Sequence, residues 1–228
     1  MIDRLKSLFG KLETRTLVLL LALVGAPWLF LAVADEVSEG ETAAIDQSLL
    51  LALRTPGRPS DPIGPRWLEE AVRDVTALGG FTVLTLLTVV ATLLLLFHRR
   101  RREALIFAAT VIAAQVSSQL LKGLYERERP SLVAHGSYVY SHSFPSGHSA
   151  MAAAVFLTLA TVVASVEPRR RTKALIYGLA IVAVLGVGVS RVYLGVHWPT
   201  DVLGGWALGT GWALVGWLLL VLTGPRRS

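Results

Sequence analysis

Apolar residues dominate six long stretches of the chain, and polar segments separate them. The stretches are residues 16–34, 78–97, 104–121, 149–166, 174–192 and 202–222. At 1.5 Å rise per residue each makes a helix of roughly 26–32 Å, close to the thickness of a bilayer core. A segment in lipid must satisfy its own backbone, so runs of this length predict helices. The pattern predicts an all-α fold, a bundle of six membrane-spanning helices forming one domain over residues 1–228, with no internal repeat.

Polarity resumes between the first two stretches. Residues 35–77 carry Asp35, Glu36, Glu39, Glu41, Asp46, Asp61, Glu69, Glu70 and Asp74. The centre of this acidic segment, TPGRPSDPIGP, is a string of turn formers. Trp67, Leu68, Ala71, Val72, Val75 and Leu78 then recur at helical spacing, which predicts an amphipathic helix along the membrane interface. The first apolar stretch runs into LAVADE, similar to a small-residue processing site after Ala34. Its length and the internal Pro27 favour an uncleaved anchor. In the last stretch Gly205 and Gly209 form a small-xxx-small pair, followed by Gly211 and Gly216, which suits close helix packing within or between chains.

Composition supports the membrane assignment and charge orients it. Of the 228 residues 53% are hydrophobic, and the mean hydropathy is +0.57. Cysteine is absent, which excludes disulfides, thiolate nucleophiles and thiolate metal sites. A net charge of +6 could suit nucleic acid, but its placement argues for no such partner. The basic residues sit beside apolar runs: Arg4, Lys6, Lys11 and Arg15; Arg99 to Arg102; Arg169 to Arg171 with Lys173; Arg226 and Arg227. Threaded alternately from the inside, all four groups fall in the cytoplasm. The expected location is the inner (plasma) membrane, with both termini cytoplasmic. Loops 35–77, 123–148 and 193–201 then lie on the outer face.

Those outer edges hold the chemistry. The third stretch ends in LKGLYERERP, which carries Lys122, Arg127 and Arg129; the fourth opens at PSGHS, which carries Ser146, Gly147 and His148. The fifth ends in GVSRVYLGVHWPTD, which carries Arg191, His197 and Asp201. Charges at helix ends near lipid are costly unless paired or functional, and this set is mostly cationic. It asks for an anion. Lys122 supplies a point charge, and Arg129 and Arg191 offer planar forks that match tetrahedral oxyanions. If Pro145 occupies the first turn of a helix, the N–H groups of Ser146, Gly147 and His148 are left open at its positive end, a phosphate cradle. His197 and Asp201 are four apart, so a carboxylate can fix the imidazole tautomer and leave the other nitrogen free to attack. His148, beside the cradle, is placed to protonate a departing oxygen.

Three blocks now stand in order: K-x6-R-P in KGLYERERP, PSGH, and S-R-x5-H-x3-D in SRVYLGVHWPTD. Together they resemble the type-2 phosphatidic acid phosphatase superfamily, and the layout is similar to its bacterial six-span members. The motifs cover residues 122–201 without a departure from the pattern. The resemblance implies a lipid phosphatase with His197 as nucleophile through a phosphohistidine, Asp201 orienting it and His148 as general acid. It further implies that Lys122, Arg129, Ser146, Gly147 and Arg191 hold the phosphoryl oxygens, and that neither metal nor cofactor takes part. The implied substrates are undecaprenyl diphosphate, favoured by the outward site and compact chain, then phosphatidylglycerol phosphate, phosphatidic acid or lipid A phosphates. A phosphotransferase, a vanadate-dependent haloperoxidase and a non-catalytic lipid-phosphate binder are the other readings.

Neighbouring polar residues have plainer expectations. Ser190 caps or back-bonds a helix as readily as it touches phosphate, and Pro130 and Pro145 shape the backbone. His135 and His142 are expected in solvent, and Arg127 paired with Glu126 or Glu128 at the surface. Gln115, Ser117, Ser118 and Gln119 suit helix–helix hydrogen bonds. Trp198 and Trp206 suit an interfacial belt.

Overall fold

The computed structural model describes residues 14–137 and 141–224, the first eight of them as backbone only. The terminal basic residues Arg4, Lys6, Lys11, Arg226 and Arg227 lie outside this set. Eight helices and one hairpin follow in order. They are α1 (Thr14–Glu39), α2 (Ala43–Leu51), β1 (Arg54–Thr55), β2 (Arg58–Pro62), α3 (Arg66–Ala77), α4 (Phe81–Phe97), α5 (Arg101–Tyr125), α6 (Gly147–Val166), α7 (Arg170–Tyr193) and α8 (Pro199–Leu222).

All six apolar stretches are helical. Helices α5 to α8 are each long and apolar enough to cross a membrane, and α3 with α4 makes a further such unit across a 44° bend. The chain is an integral membrane protein of nearly all-helical fold, and the antiparallel β1–β2 ribbon is its single sheet among the described residues.

Helix α6 sits at the centre and packs against α4, α5, α7 and α8. Its first turns are rich in alanine, and Ala150, Ala152, Ala153 and Ala154 are fully buried. The glycine pair of α8 faces them. A Cβ on Gly209 would strike the carbonyl of Ala150 and the side chain of Ala153, and one on Gly205 would strike Ser146 and Ser149. The small-residue stripe therefore brings two backbones together within one chain. Phe144 fills the remaining gap against Gly204, Phe30 and Tyr125, with ring centroids 5.7 Å and 5.1 Å from the last two.

The segment expected as an outer loop with an interfacial helix is structured and docked on the bundle. Arg54 Nη1 donates to the carbonyl of Tyr193 at 2.8 Å, and the Tyr193 hydroxyl donates to the carbonyl of Ile63 at 2.7 Å. The amphipathic stretch forms α3, but part of its apolar face meets protein. Leu68 and Val72 pack on Tyr193, Leu194 and Val196, while Trp67 points outward. The α7–α8 loop offers an apolar platform, and covering it takes apolar surface of both partners out of water. Gly195, at φ 70°, lets that loop turn where a Cβ would meet Val133, Arg54 and Ala134.

The bundle has two unlike ends. Arg100 donates to Ser165 at 3.1 Å, and Gly224 lies near Arg102, so the α4–α5, α6 and α8 ends meet at one basic pole. Lys122 lies 20 residues beyond Arg102 along α5, roughly 30 Å away at the helical rise. The motif residues gather at that second pole.

Candidate active site

Helix α8 starts in a way that creates a histidine–carboxylate pair. Trp198 is its N-cap, Pro199 needs no N–H partner in the first turn, and Asp201 at the third position accepts the Trp198 N–H at 2.8 Å. His197 immediately precedes the cap, and its Nδ1 lies 3.3 Å from Asp201 Oδ2. The Nδ1–H therefore points at the carboxylate, a tautomer assigned from these partners. Both residues are buried. Burial is the main cause holding the His197 imidazole far below the usual histidine range, at about 3. The hydrogen bond and charge of Asp201 oppose this, and Arg129 and Arg191 reinforce it. The ring is neutral, with Nε2 carrying a lone pair toward the cleft.

A cleft of about 670 Å³ is lined by six residues expected at the site: Lys122, Arg129, Gly147, His148, Arg191 and His197. Four segments deliver them. Helix α5 ends as Glu126 takes a left-handed φ of 44°, and this turn sends Arg127 and Arg129 back over the pole. Arg129 Nη1 lies 3.2 Å from His197 Nε2 and donates to the Val196 carbonyl at 2.5 Å. Lys122 Nζ donates to the His142 carbonyl at 2.5 Å, and its stem lies 3.7 Å from where a Gly147 Cβ would stand. Arg191 Nη1 donates to Thr76 of α3 at 3.1 Å, while its Nε is buried without a partner among the described residues. A buried guanidinium with an unused donor is costly and leaves a fork ready for an oxyanion.

The cradle differs from expectation in one particular. Helix α6 begins at Gly147 with Ser146 as its N-cap, so Pro145 stands one position outside the helix. The Ser146 N–H donates to the Asp201 carbonyl at 2.9 Å, and its hydroxyl accepts from Ser149. Ser146 is fully buried and turned from the cleft; it ties the start of α6 to the first turn of α8. The N–H groups of Gly147 and His148 have no acceptor among the described residues and remain at the positive helix end.

Behind Asp201 lies a network that the spacing does not reveal. Arg127, expected at the surface beside its glutamates, instead donates to Asp201 Oδ1 and Asp46 Oδ2, each at 2.7 Å. Asp46, one carboxylate among nine expected in an outer loop, is buried and accepts the N–H of Thr200 at 3.0 Å. The Ser143 hydroxyl donates to Asp201 Oδ2. The available signal was Asp46 itself, the one charge in the apolar helix AAIDQSLLL.

Other neighbours sort cleanly. His135 and His142 are exposed, and Ser190 back-bonds to the Val187 carbonyl at 2.6 Å. Ser117 accepts from Trp212 across helices, whereas Gln115 and Gln119 line the cleft. Trp198 and Trp206 each donate to a backbone carbonyl, of Glu128 and Val184. Among the described residues no group of three or more His, Asp or Glu side chains converges as a metal would need.

The profile of the PAP2 superfamily matches residues 103–223. Phosphatidylglycerophosphatase B of Bacillus subtilis is 36% identical over 146 residues, 63% of this chain and 70% of that protein. Undecaprenyl-diphosphatase of Sulfolobus acidocaldarius is 31% identical over 122 residues, 51% of this chain and 54% of that protein. The crystal structure of a transmembrane PAP2-type phosphatidylglycerolphosphate phosphatase from Bacillus subtilis superposes with a TM-score of 0.83 at 30% identity, covering 91% of this chain and all of that one.

Proposed function

The chain belongs to the PAP2 superfamily, and from that premise we propose that it dephosphorylates a membrane lipid through a phosphohistidine on His197. The carrying observation is the convergence of a neutral, carboxylate-backed imidazole and three cations on one cleft. A phosphoryl group entering the cleft takes Arg129 from His197 Nε2 and engages Lys122, Arg191 and the Gly147 and His148 amides. Nε2 then attacks phosphorus. The P–N bond forms as the P–O bond to the lipid breaks, and His148 protonates the departing oxygen. Asp201 stabilises the positive charge gained by the ring. Water, deprotonated by His148, then attacks phosphorus, the P–N bond breaks, and phosphate leaves.

The cleft continues as a groove between α4 and α5, past Phe81, Leu84, Val111, Ile112 and Met151. Such a wall suits a lipid chain that stays in the bilayer. Thr85, Thr88, Gln115 and Gln119 also line it and suit ester oxygens below a glycerol phosphate. This lining, together with the Bacillus relative, favours phosphatidylglycerol phosphate as substrate. Undecaprenyl diphosphate, named by the Sulfolobus relative, is the second reading, supported by the outward placement of the site that follows if the basic pole is cytoplasmic.

The test is phosphate release in detergent from four lipids: phosphatidylglycerol phosphate, phosphatidic acid, undecaprenyl diphosphate and a lipid A phosphate. Turnover is expected with or without a chelator, fastest on the first. Binding of all four without release contradicts the reading, and phosphate found on an added lipid acceptor makes the protein a transferase.

A further inference from the structure

We propose that Asp46 is a positioning residue for catalysis, acting through Arg127 and the first turn of α8 to hold Asp201 against His197. The proposal rests on the phosphohistidine reading and extends it to the segment between α1 and the hairpin, which carries none of the motif residues.

Asp46 reaches Asp201 by two routes. One runs through the guanidinium of Arg127. Its Nη2 donates to Asp46 Oδ2 at 2.7 Å and Thr42 Oγ1 at 3.2 Å, and its Nη1 donates to Asp201 Oδ1 at 2.7 Å and Thr200 Oγ1 at 2.8 Å. A guanidinium is planar, so fixing one nitrogen fixes the aim of the other. The second route is backbone. Asp46 Oδ1 accepts the Thr200 N–H at 3.0 Å, and Oδ2 accepts the Thr200 hydroxyl at 2.6 Å. Thr200 directly precedes Asp201, so Asp46 caps the turn that carries it, from 154 residues away.

Charge gives the arrangement a direction. Among the described residues two buried carboxylates share one guanidinium in their salt bridges, so the pair holds one more negative charge than Arg127 neutralises, and His197 gains positive charge beside it on attack. That stabilisation is stronger in the transition state than in the resting enzyme, which is what accelerates a step. A purely structural clamp predicts otherwise. Leu50 already anchors α2 by packing among Val133, Val192 and Val202, so the segment keeps an attachment without the carboxylate.

The experiment compares wild type with Asp46→Asn, Asp46→Glu, Arg127→Lys, Asp201→Asn and the Asp46→Asn/Asp201→Asn double variant. All are purified full-length in detergent and assayed on one lipid phosphate, with orthovanadate inhibition as the probe of the phosphate pocket. Asn keeps an oxygen for the Thr200 N–H, but its amide nitrogen stands in for Oδ2, so Asp46→Asn removes the charge and the bonds from Arg127 and the Thr200 hydroxyl while the backbone bond stays. Its kcat is expected to fall about 10- to 100-fold, as when an outer partner of an active-site ligand is lost. KM and vanadate inhibition are expected to stay near wild type, and Asp46→Glu to recover part of the loss. The double variant is expected to be no slower than Asp201→Asn alone. Should Asp46→Asn not fold, Arg127→Lys tests the same bridge, because an ammonium cannot span both carboxylates. Unchanged kcat in a folded variant, or losses that multiply in the double variant, overturns the proposal. A wild-type protein without turnover on any lipid phosphate overturns the functional reading instead, and this inference with it.

Discussion

The two sides of His197 are built by opposite rules. Toward the cleft, donors exceed acceptors: among the described residues Arg191 Nε is buried without a partner, and the Gly147 and His148 amides have no acceptor. Behind the ring the balance reverses. Asp201 takes Arg127 on one oxygen and Ser143, Trp198 N–H and His197 on the other. A side meant for a substrate keeps unmet donors, since only a bound anion should satisfy them. A side meant to hold geometry is over-determined, so the imidazole has one orientation and one tautomer.

That contrast sets what each substitution should do. Asp201→Asn strikes the fixed side and has the largest expected effect among them: a kcat loss of about 10³- to 10⁴-fold, as in other histidine–carboxylate pairs forced into the wrong tautomer. Vanadate inhibition should persist, because the cations remain. Arg191→Lys strikes the open side. It is expected to lower kcat about 10²-fold and to weaken vanadate inhibition in parallel, since an ammonium cannot reproduce the fork. If the two variants shared one profile, the division into two sides would fail.

Smaller effects concern the scaffold and the proton. Gly209→Leu drives a side chain into the Ala150 carbonyl and separates α6 from α8. A loss of about 1–3 kcal/mol is expected from overpacking, read as a lower thermal midpoint in detergent. His197, held neutral mainly by burial, should keep its ¹⁵N-NMR signature of an Nδ1–H tautomer from pH 8 down to about pH 5, against ~6.5 for a free histidine. The folded value lies below the unfolded one, so this group's stability contribution is complete above about pH 6.5 and falls with further acidification. An imidazolium signal at pH 6 would contradict the burial argument.

Local spacing carried much of this site. His197 and Asp201 sit four apart at a helix start, and PSGH marks another, so each group is placed by geometry within a single turn. The long apolar runs likewise revealed every long helix. What escaped depends on contacts made at long range. Arg127 stands between two glutamates in sequence, but the left-handed turn at Glu126 swings it inward to Asp46, 81 residues away. Ser146 looked like an open amide because nothing in its neighbourhood announces the Asp201 carbonyl that binds it. The helix of the 35–77 segment was legible from its spacing, but its docking was not, since the surface that receives it is the α7–α8 loop.

The central claim is that His197 Nε2 bonds to phosphorus during turnover. Rapid quenching with a ³²P-labelled lipid phosphate, followed by peptide mapping, tests it directly. The account expects an acid-labile, base-stable label on the peptide that contains His197, absent from His197→Ala, which should also release no phosphate. Turnover with no labelled enzyme under these conditions, or label on any other residue, would contradict it.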